Sequence, residues 1–363
     1  MGALHRLRRV GATAALIAMA TACSSGHDIA STTTTTTAGS SCAAPGLMAP
    51  SGCWAQVLPL GSGGFPASPG SGDRPLWAPG KFPLTLTPRV AFDDALWMTA
   101  QTLTYSSTDG LAWTEHAKTD WGERIYHAVV FFHGKLWMFG GLDYATNTFL
   151  NDIWASTDGT AWQQVATAAW PARGAQTMLV YHDRLWLFGG ANHLAADRST
   201  DGFRNDVWVS EDAVAWNEVT GAAPWSPRDY PGVTVFNNAL YLVGGHGHTD
   251  VWRSSNGNDW TLVTTAADWP ARDGNALVVF DDKLWVFGGF AGPSTNALND
   301  VWYTSDGARW DRQAEHAPWG PRDPVTTIVF HNQIWIYSGK HTGATDNWGG
   351  DLWQMNATTT PAQ

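Results

Sequence analysis

The stretch RIYHAVVFFHGKLWMFGG, residues 124–141, followed by FLNDIWASTDGTAW, residues 149–162, decides the fold of this chain. The same pattern begins again at four later arginines and, in weaker form, at one earlier arginine: Arg173, Arg228, Arg272, Arg322 and Arg89. A pattern that recurs at a period of about 50 residues is typical of a repeat architecture, in which each copy forms one small structural unit. The sequence therefore predicts an array of similar units.

Each unit has the pattern of a small antiparallel sheet, and the copy at Arg272 is the clearest. Two apolar runs, NALVVF (275–280) and LWVFGG (284–289), predict two buried strands, and the two glycines end the second one. A third strand follows at NDVWYTS (299–305), and Asp306-Gly307 is typical of a hairpin turn into a fourth. Beyond the N-terminus no stretch has a sustained helical period, so an all-β fold is predicted.

Tryptophan recurs at four positions of the unit and so gives the number of units. The fourth-strand position is occupied by Trp113, Trp162, Trp216, Trp260 and Trp310. The sixth unit stops at DLWQM (351–355), before its fourth strand, whereas CWAQV (53–57) near the N-terminus resembles AWQQV (161–165). An N-terminal strand, 53–58, with Trp54 in the vacant position, is therefore predicted to complete the last sheet and close a ring of six four-stranded blades.

This combination of a glycine pair after the second strand, a Trp about a dozen residues later and an Arg before the first strand resembles the kelch-type β-propeller of the galactose oxidase superfamily. The resemblance covers roughly residues 53–357. It implies a six-bladed propeller, but propellers include both binding modules and enzymes, so it does not by itself imply a function. The turns at 107–113, 156–162 and 304–310 also resemble the Asp-box turn of sialidases, one residue short.

The N-terminus has the composition of an export signal. Arg6, Arg8 and Arg9 precede the apolar segment 11–22, which predicts a signal peptide over residues 1–22. Cys23 follows small residues, as in the cleavage site of bacterial lipoproteins, and predicts a lipid anchor; the alternative is an ordinary signal peptide with an incidental cysteine. Residues 23–41, rich in Ser and Thr, predict a flexible tether to a propeller over 42–357, with a disordered tail at 358–363.

The cysteine content bears on the compartment of the protein, and its net charge excludes some classes of partner. Cys42 and Cys53 remain as an even pair in an exported protein, so a disulfide is predicted; two free thiols are the alternative. Removal of residues 1–22 leaves 18 basic against 32 acidic residues, a net charge near −14. Such a charge argues against nucleic acid or an anionic lipid surface as the main partner. The prediction is a monomer at the bacterial cell surface or in the periplasm, attached to the membrane only by its lipid.

The arginines that begin the units are the first candidates for a binding site. If all six units are equivalent, they form a ring around one mouth of the central channel: Arg89, Arg124, Arg173, Arg228, Arg272 and Arg322. A cluster of guanidinium groups in an acidic protein predicts a receptor for carboxylate, sulfate or phosphate groups. The alternative is that each arginine binds backbone or an acid and serves the architecture, and Asp229, Asp273 and Asp323 directly follow three of them.

The variable loops after the glycine pairs open on the same face if the kelch pattern holds, and they supply further candidate binding residues: Tyr144, His193, His246, His248, His341 and Trp348. His127, three residues after Arg124, is interpreted either as an acid–base group facing the channel or as a packing residue. His246 and His248 alone do not make a metal site, which needs three or four ligands, so no metal and no other cofactor is predicted.

These features predict a ligand-binding module without catalysis, whose ligand is an anionic glycan, a small molecule or a protein partner. One alternative is a carbohydrate-active enzyme, such as a sialic acid mutarotase or a sialidase-like hydrolase, in which Tyr126 near Glu123 or Tyr230 near Asp229 would form the pair of tyrosine and carboxylate. Convergence of His, Tyr and carboxylate groups in the mouth, with arginines free of acidic partners, would favour the enzyme. A second alternative is a structural envelope protein, in which every arginine is paired and no site is open.

Overall fold

The computed structural model describes residues 54–58, 89–100, 102–193, 202–291, 297–323, 326–341 and 348–356. All regular elements within these ranges are β-strands, arranged in six antiparallel sheets as a six-bladed β-propeller, so the predicted fold is confirmed. In these ranges there is no helix long and apolar enough to cross a membrane. The predicted signal, tether and tail, with Cys23, Cys42 and Cys53, lie outside the described residues and stay predictions.

The strands follow the order of the repeats. Blade 1 contains β2 (Arg89–Phe92), β3 (Ala95–Ala100), β4 (Leu103–Ser107) and β5 (Thr114–Glu115). Blade 2 contains β6 (Arg124–Ile125), β7 (Ala128–Phe132), β8 (Lys135–Asp143), β9 (Thr148–Ser156) and β10 (Gln163–Thr167). Blade 3 contains β11 (Thr177–Tyr181), β12 (Arg184–Phe188), β13 (Val207–Ser210) and β14 (Asn217–Thr220).

The remaining blades have the same plan. Blade 4 contains β15 (Gly232–Phe236), β16 (Ala239–Gly245), β17 (His248–Ser254) and β18 (Thr261–Thr264). Blade 5 contains β19 (Ala276–Phe280), β20 (Lys283–Phe290), β21 (Ala297–Thr304) and β22 (Asp311–Ala314). Blade 6 contains β23 (Arg322–Asp323), β24 (Thr326–Phe330), β25 (Gln333–His341), β26 (Trp348–Asn356) and β1 (Trp54–Leu58). The innermost strands β2, β7, β11, β15, β19 and β24 contact one another in a closed succession around the axis.

The N-terminal strand β1 completes blade 6, as the sequence predicts. It pairs antiparallel with β26, with Trp54 opposite Met355. Trp54 is buried between blades 5 and 6, where its ring makes edge contacts with Phe287 at 5.8 Å and with Trp319 at 6.3 Å between centroids. The strand therefore covers the open edge of β26 and adds an aromatic side chain to the core.

Neighbouring blades interlock through an aromatic side chain and a turn. The turn glycine of blade 2, Gly159, has a φ of 74°, and a Cβ at this position would come within 2.3 Å of the ring of Trp97 in blade 1. The same contact joins Gly257 of blade 4 to Trp186 of blade 3. It also joins Gly110 of blade 1 to Trp335 of blade 6, across the closure of the ring. Glycine is needed here because both the backbone conformation and the close ring exclude a side chain.

The turns that resemble Asp boxes have a structural role. In blade 2, Asp158 Oδ1 accepts hydrogen bonds from the backbone N–H groups of Thr160 and Ala161, at 2.8 and 2.9 Å, and from the Ser156 hydroxyl at 3.0 Å. These bonds, led by that from Ala161, favour the charged carboxylate and lower the pKa of Asp158 to about 2. The turn therefore fixes the entry into the fourth strand and has no visible catalytic part.

Candidate functional site

The arginines that begin the blades are buried structural residues. Arg173, Arg228, Arg272 and Arg322 are 0% exposed and Arg124 is 2% exposed. Four of them make two-pronged ion pairs with an aspartate of the same blade, with N–O distances of 2.6–3.0 Å: Arg124 with Asp152, Arg173 with Asp206, Arg228 with Asp250 and Arg272 with Asp300. Arg322 lies over the ring of Trp319, at 5.5 Å from its centroid, and its Nε donates to Gly320 O.

Each of the four pairs joins three parts of one blade. In blade 3, Arg173 Nη1 also donates to the carbonyl of Gly189, the first glycine of the pair, at 3.0 Å. Asp206 Oδ2 in turn accepts from the indole N–H of Trp208 on β13, at 2.8 Å. The guanidinium groups are thus fully engaged inside the blades, so the predicted anion receptor at the mouth is wrong for these arginines, and the architectural alternative is correct.

The aspartates that pair with the arginines also recur in the sequence, although the sequence-based prediction does not include them. An aspartate stands two residues before the third-strand Trp in five units: Asp152, Asp206, Asp250, Asp300 and Asp351. Blade 1 has Leu103 at this position. The recurrence of D-x-W beside the recurrent arginine could have identified the ion pairs.

Arg89 does not belong to the ring. In blade 2, Arg124 lies eight residues before Phe132, whereas Arg89 lies only three residues before Phe92, its counterpart. The strand register agrees, because Arg89 is opposite Met98 just as Val129 is opposite Met138. The residue of blade 1 at the arginine position is Leu84. Blade 1 therefore has leucine at both positions of the ion pair, and the predicted six-membered ring is corrected to five members.

His127 is a packing residue. Its side chain is buried, and Nε2 lies 2.7 Å from the hydroxyl of Thr99 in blade 1. Burial and then the charge of Arg124 lower the pKa of His127 to about 3. The imidazole is therefore neutral near pH 7 and is enclosed between two blades, so the acid–base interpretation of His127 is wrong.

The innermost strands of blades 2, 3 and 4 are linked at the mouth by a short arc of backbone. Ala175 N–H donates to Tyr126 O at 2.9 Å, and Tyr230 N–H donates to Ala175 O at 2.8 Å. All three residues have a left-handed backbone, with φ of 62°, 54° and 45° for Tyr126, Ala175 and Tyr230. Because Ala175 has only a methyl group, the two tyrosine rings meet beside it, edge to face, with centroids 6.0 Å apart.

A carboxylate and an imidazole lie next to these rings. His246, in the turn between β16 and β17, places Nδ1 3.1 Å from Asp229 Oδ1, and the ring of Phe203 contacts His246 edge-on at 4.4 Å between centroids. Burial and then the charge of Asp229 raise the pKa of Tyr126, so the Asp229 carboxylate acts on Tyr126 as well. These five partly exposed residues of blades 2, 3 and 4 are called the mouth cluster: Tyr126, Phe203, Asp229, Tyr230 and His246.

The other predicted binding residues are spread over the loops. Tyr144, in the turn of the β8–β9 hairpin, is 52% exposed, and His193 is exposed after β12. His248 begins β17, and burial and then the charge of Arg228 lower its pKa. His341 ends β25 and Trp348 begins β26, but their side chains, like that of Arg89, lie outside the described residues. Of the predicted candidates, only His246 belongs to the mouth cluster.

The convergence of the mouth cluster was not predicted, because its members are not repeated in every unit. Tyr126, Phe203 and Tyr230 occupy positions that hold other residue types in most of the remaining units. Among the described residues, no group of three or more His, Cys, Asp or Glu could hold a metal ion. The cluster instead combines aromatic faces, one carboxylate and one imidazole, a set suited to binding a polar organic ligand.

Six four-stranded blades, in two of which the first strand is broken into two segments (β6 and β7, β23 and β24), surround one axis and define this chain as a β-propeller. Residues 271–303 match the family model described as the Kelch motif. These residues span the unit from Arg272 to Tyr303, so the chain contains a Kelch motif within a six-bladed β-propeller.

Comparison with solved structures supports the fold. A structure titled "Structure of YjhT" superimposes with a TM-score of 0.65 at 16% sequence identity, covering 77% of this chain and 96% of that one. It is one of 497 matching chains, so the fold is too widely shared to indicate a particular activity. No curated protein sequence matches the chain.

Proposed function

We propose that this chain is an extracytoplasmic lipoprotein whose propeller binds a small organic ligand at the mouth cluster. The observation that carries the proposal is the convergence of Tyr126, Asp229 and His246 with two further aromatic rings at one end of the axis. In contrast to the buried arginines, these side chains remain partly exposed. Aromatic and charged groups that stay partly exposed at hydrogen-bonded backbone can contact a ligand, so we infer that they bind one.

The sequence-based preference for an anionic glycan loses its support, because it rested on arginines that are buried and engaged within the blades. A small ligand fits the cluster better than a protein partner. Its members come from three adjacent blades, with Tyr126 against Tyr230 at Ala175 and with Phe203 and Asp229 against His246.

The binding proposal is tested by a thermal-shift screen of saccharides and small metabolites on the purified chain, followed by calorimetry. At least one compound should bind saturably, and Tyr126→Leu should weaken its binding by about tenfold, the ratio that ~1.4 kcal/mol of lost ring contact gives. The matched control is Tyr144→Leu, which removes an exposed tyrosine outside the cluster and should leave the affinity unchanged. Equal weakening by both variants, or no binding by any compound, would favour a structural envelope protein instead.

A carbohydrate-active enzyme is the second candidate, because Tyr126, Asp229 and His246 bring acid–base groups into one place. The burial of the arginines weighs against a sialidase-like hydrolase, which needs an arginine triad for its substrate, and less against a mutarotase. The same screen separates the candidates. A binding module returns its ligand unchanged, whereas an enzyme converts it at a rate that falls about a hundredfold or more in His246→Gln.

The anchor is a proposal that rests on Cys23 following an apolar segment and small residues. Metabolic labelling with a radioactive fatty acid should tag the wild-type chain, because the Cys23 thiol is the predicted site of lipid attachment. The variant Cys23→Ser should remain unlabelled, whereas Cys53→Ser, the matched control, should be labelled like the wild type. Equal labelling of Cys23→Ser and the wild type would remove the lipoprotein proposal.

A further inference from the structure

We propose that the mouth cluster binds an organic cation, a primary or methylated ammonium group, and this inference rests on the proposed function of the same site. A site for such a cation combines a carboxylate that has no cationic partner with aromatic faces that attract positive charge. The mouth cluster contains both.

Among the described residues, no arginine or lysine pairs with the Asp229 carboxylate. The adjacent Arg228 is 0% exposed, and Asp250 matches its charge through two hydrogen bonds of 2.7 and 2.9 Å. The Asp229 carboxylate contacts His246 Nδ1 at 3.1 Å. This contact with the imidazole orients the carboxylate. After burial, the charge of Asp229 is the second cause that raises the pKa of Tyr126.

The aromatic rings are placed beside this carboxylate. Tyr126 and Tyr230 meet edge to face at 6.0 Å, and Phe203 contacts the His246 ring that holds Asp229. An ammonium group within about 6 Å of an aromatic face is attracted by the negative face of the ring, most strongly where water is excluded. Gly174 keeps the space around Tyr126 narrow, because a Cβ there would lie 2.9 Å from Tyr126 Cβ and 3.0 Å from the Phe149 ring.

Arg204, which follows Phe203 in the chain, is a cation that could take this role, but its described contact lies elsewhere. Phe203 forms an isolated antiparallel β-bridge with Ala191. Successive side chains of an extended chain point to opposite sides, so the side chain of Arg204 points away from that of Phe203. With the Asn192 amide in its hydrogen-bonded orientation, Arg204 Nη2 donates to Asn192 Oδ1 at 2.7 Å. The carboxylate of Asp229 therefore remains available to a cation from outside the chain.

The test uses choline chloride and its neutral isostere 3,3-dimethylbutan-1-ol, with sodium chloride holding the ionic strength constant. Calorimetry on the purified chain should show saturable choline binding that is at least about tenfold tighter than binding of the isostere. Ethanolamine should bind as well, because it has the same charge on a smaller group. In Asp229→Asn the preference for choline over the isostere should disappear.

The matched control is Asp183→Asn. Asp183 also pairs with a histidine, His133 at 2.9 Å, but on an exposed turn far along the strands from the mouth, and its side chain is 84% exposed. This variant loses the same unit of charge and should keep the preference for choline. Tyr126→Phe should keep it too, because it retains the ring face, whereas Tyr126→Leu should weaken choline binding by about tenfold.

Three results would overturn the cation proposal: equal affinity for choline and its isostere, a preference that survives in Asp229→Asn, or no binding of either ammonium compound. If a saccharide or another neutral compound then still binds in a manner that depends on Tyr126, the proposed binding function stands and only its ligand class is wrong. If no compound binds at the mouth, both proposals fail.

Discussion

Replacement of Asp300 with alanine should lower the free energy of unfolding by about 3–5 kcal/mol, because it leaves Arg272 as a buried charge without its carboxylate. Arg272 is 0% exposed, and both of its hydrogen bonds to Asp300 are 2.7 Å long. The indole N–H of Trp302 loses its acceptor at the same time. Chemical denaturation of the wild type and the variant measures the loss.

Two further variants show whether burial is the cause. The surface pair Arg184–Glu211 has a similar N–O distance, 2.7 Å, but its side chains are 49% and 74% exposed. Glu211→Ala should therefore cost less than about 1 kcal/mol. The double variant Arg272→Leu, Asp300→Leu copies the leucines of blade 1 and should recover most of the lost stability, because no unpaired charge remains. A single variant Asp300→Ala that is as stable as the wild type would contradict the assigned role of the ion pair.

Trp54→Ala should cost roughly 3–5 kcal/mol of stability, as for other large-to-small substitutions of buried aromatic residues. Trp54 packs against Phe287 and Trp319, so the change opens a cavity between blades 5 and 6. The matched control is Val165→Ala on the outer strand β10, where the side chain is 44% exposed and the cost should stay within about 0.5 kcal/mol.

Deletion of residues 42–60 extends this test from one side chain to the whole strand. The deletion removes β1 and exposes the hydrogen-bonding edge of β26, so the chain should aggregate. Size-exclusion chromatography and thermal melting measure the outcome. A truncated chain that stays monomeric with the melting temperature of the wild type would contradict the closing role of β1.

The repeated part of the molecule was predictable from the sequence, because the repeat period, the glycine pairs and the tryptophan positions all indicate the same blade unit. The placement of Trp54 in the last blade followed from counting those positions, and the structure confirms it. The role of the arginines was not predictable from the arginines alone. The partner of Arg173 lies 33 residues further along the chain, on another strand of the blade. The recurrence of this aspartate two residues before a Trp is the sequence feature that indicates the ion pair.

The mouth cluster could not be predicted, because its geometry depends on features that occur once. Tyr126 and Tyr230 meet only because Ala175, between them, has a short side chain and all three adopt a left-handed backbone. Asp229 was visible in the sequence as the neighbour of Arg228, but its partner His246 comes from a different turn. Such contacts between loops of different blades follow no period.

The contact between a turn glycine and the aromatic ring of the preceding blade bears on how the number of blades can change. Blades 1, 2, 4 and 5 each place such a turn on the preceding blade, always in the same rotational direction, as Gly159 does on Trp97 and Gly257 on Trp186. Loss of part of a blade would leave a turn glycine of one neighbour without its ring, or a ring of the other neighbour without its turn. A complete unit, by contrast, carries both halves of the contact and can be inherited whole. We therefore expect the number of blades to change by duplication or loss of whole units rather than by loss of part of a blade.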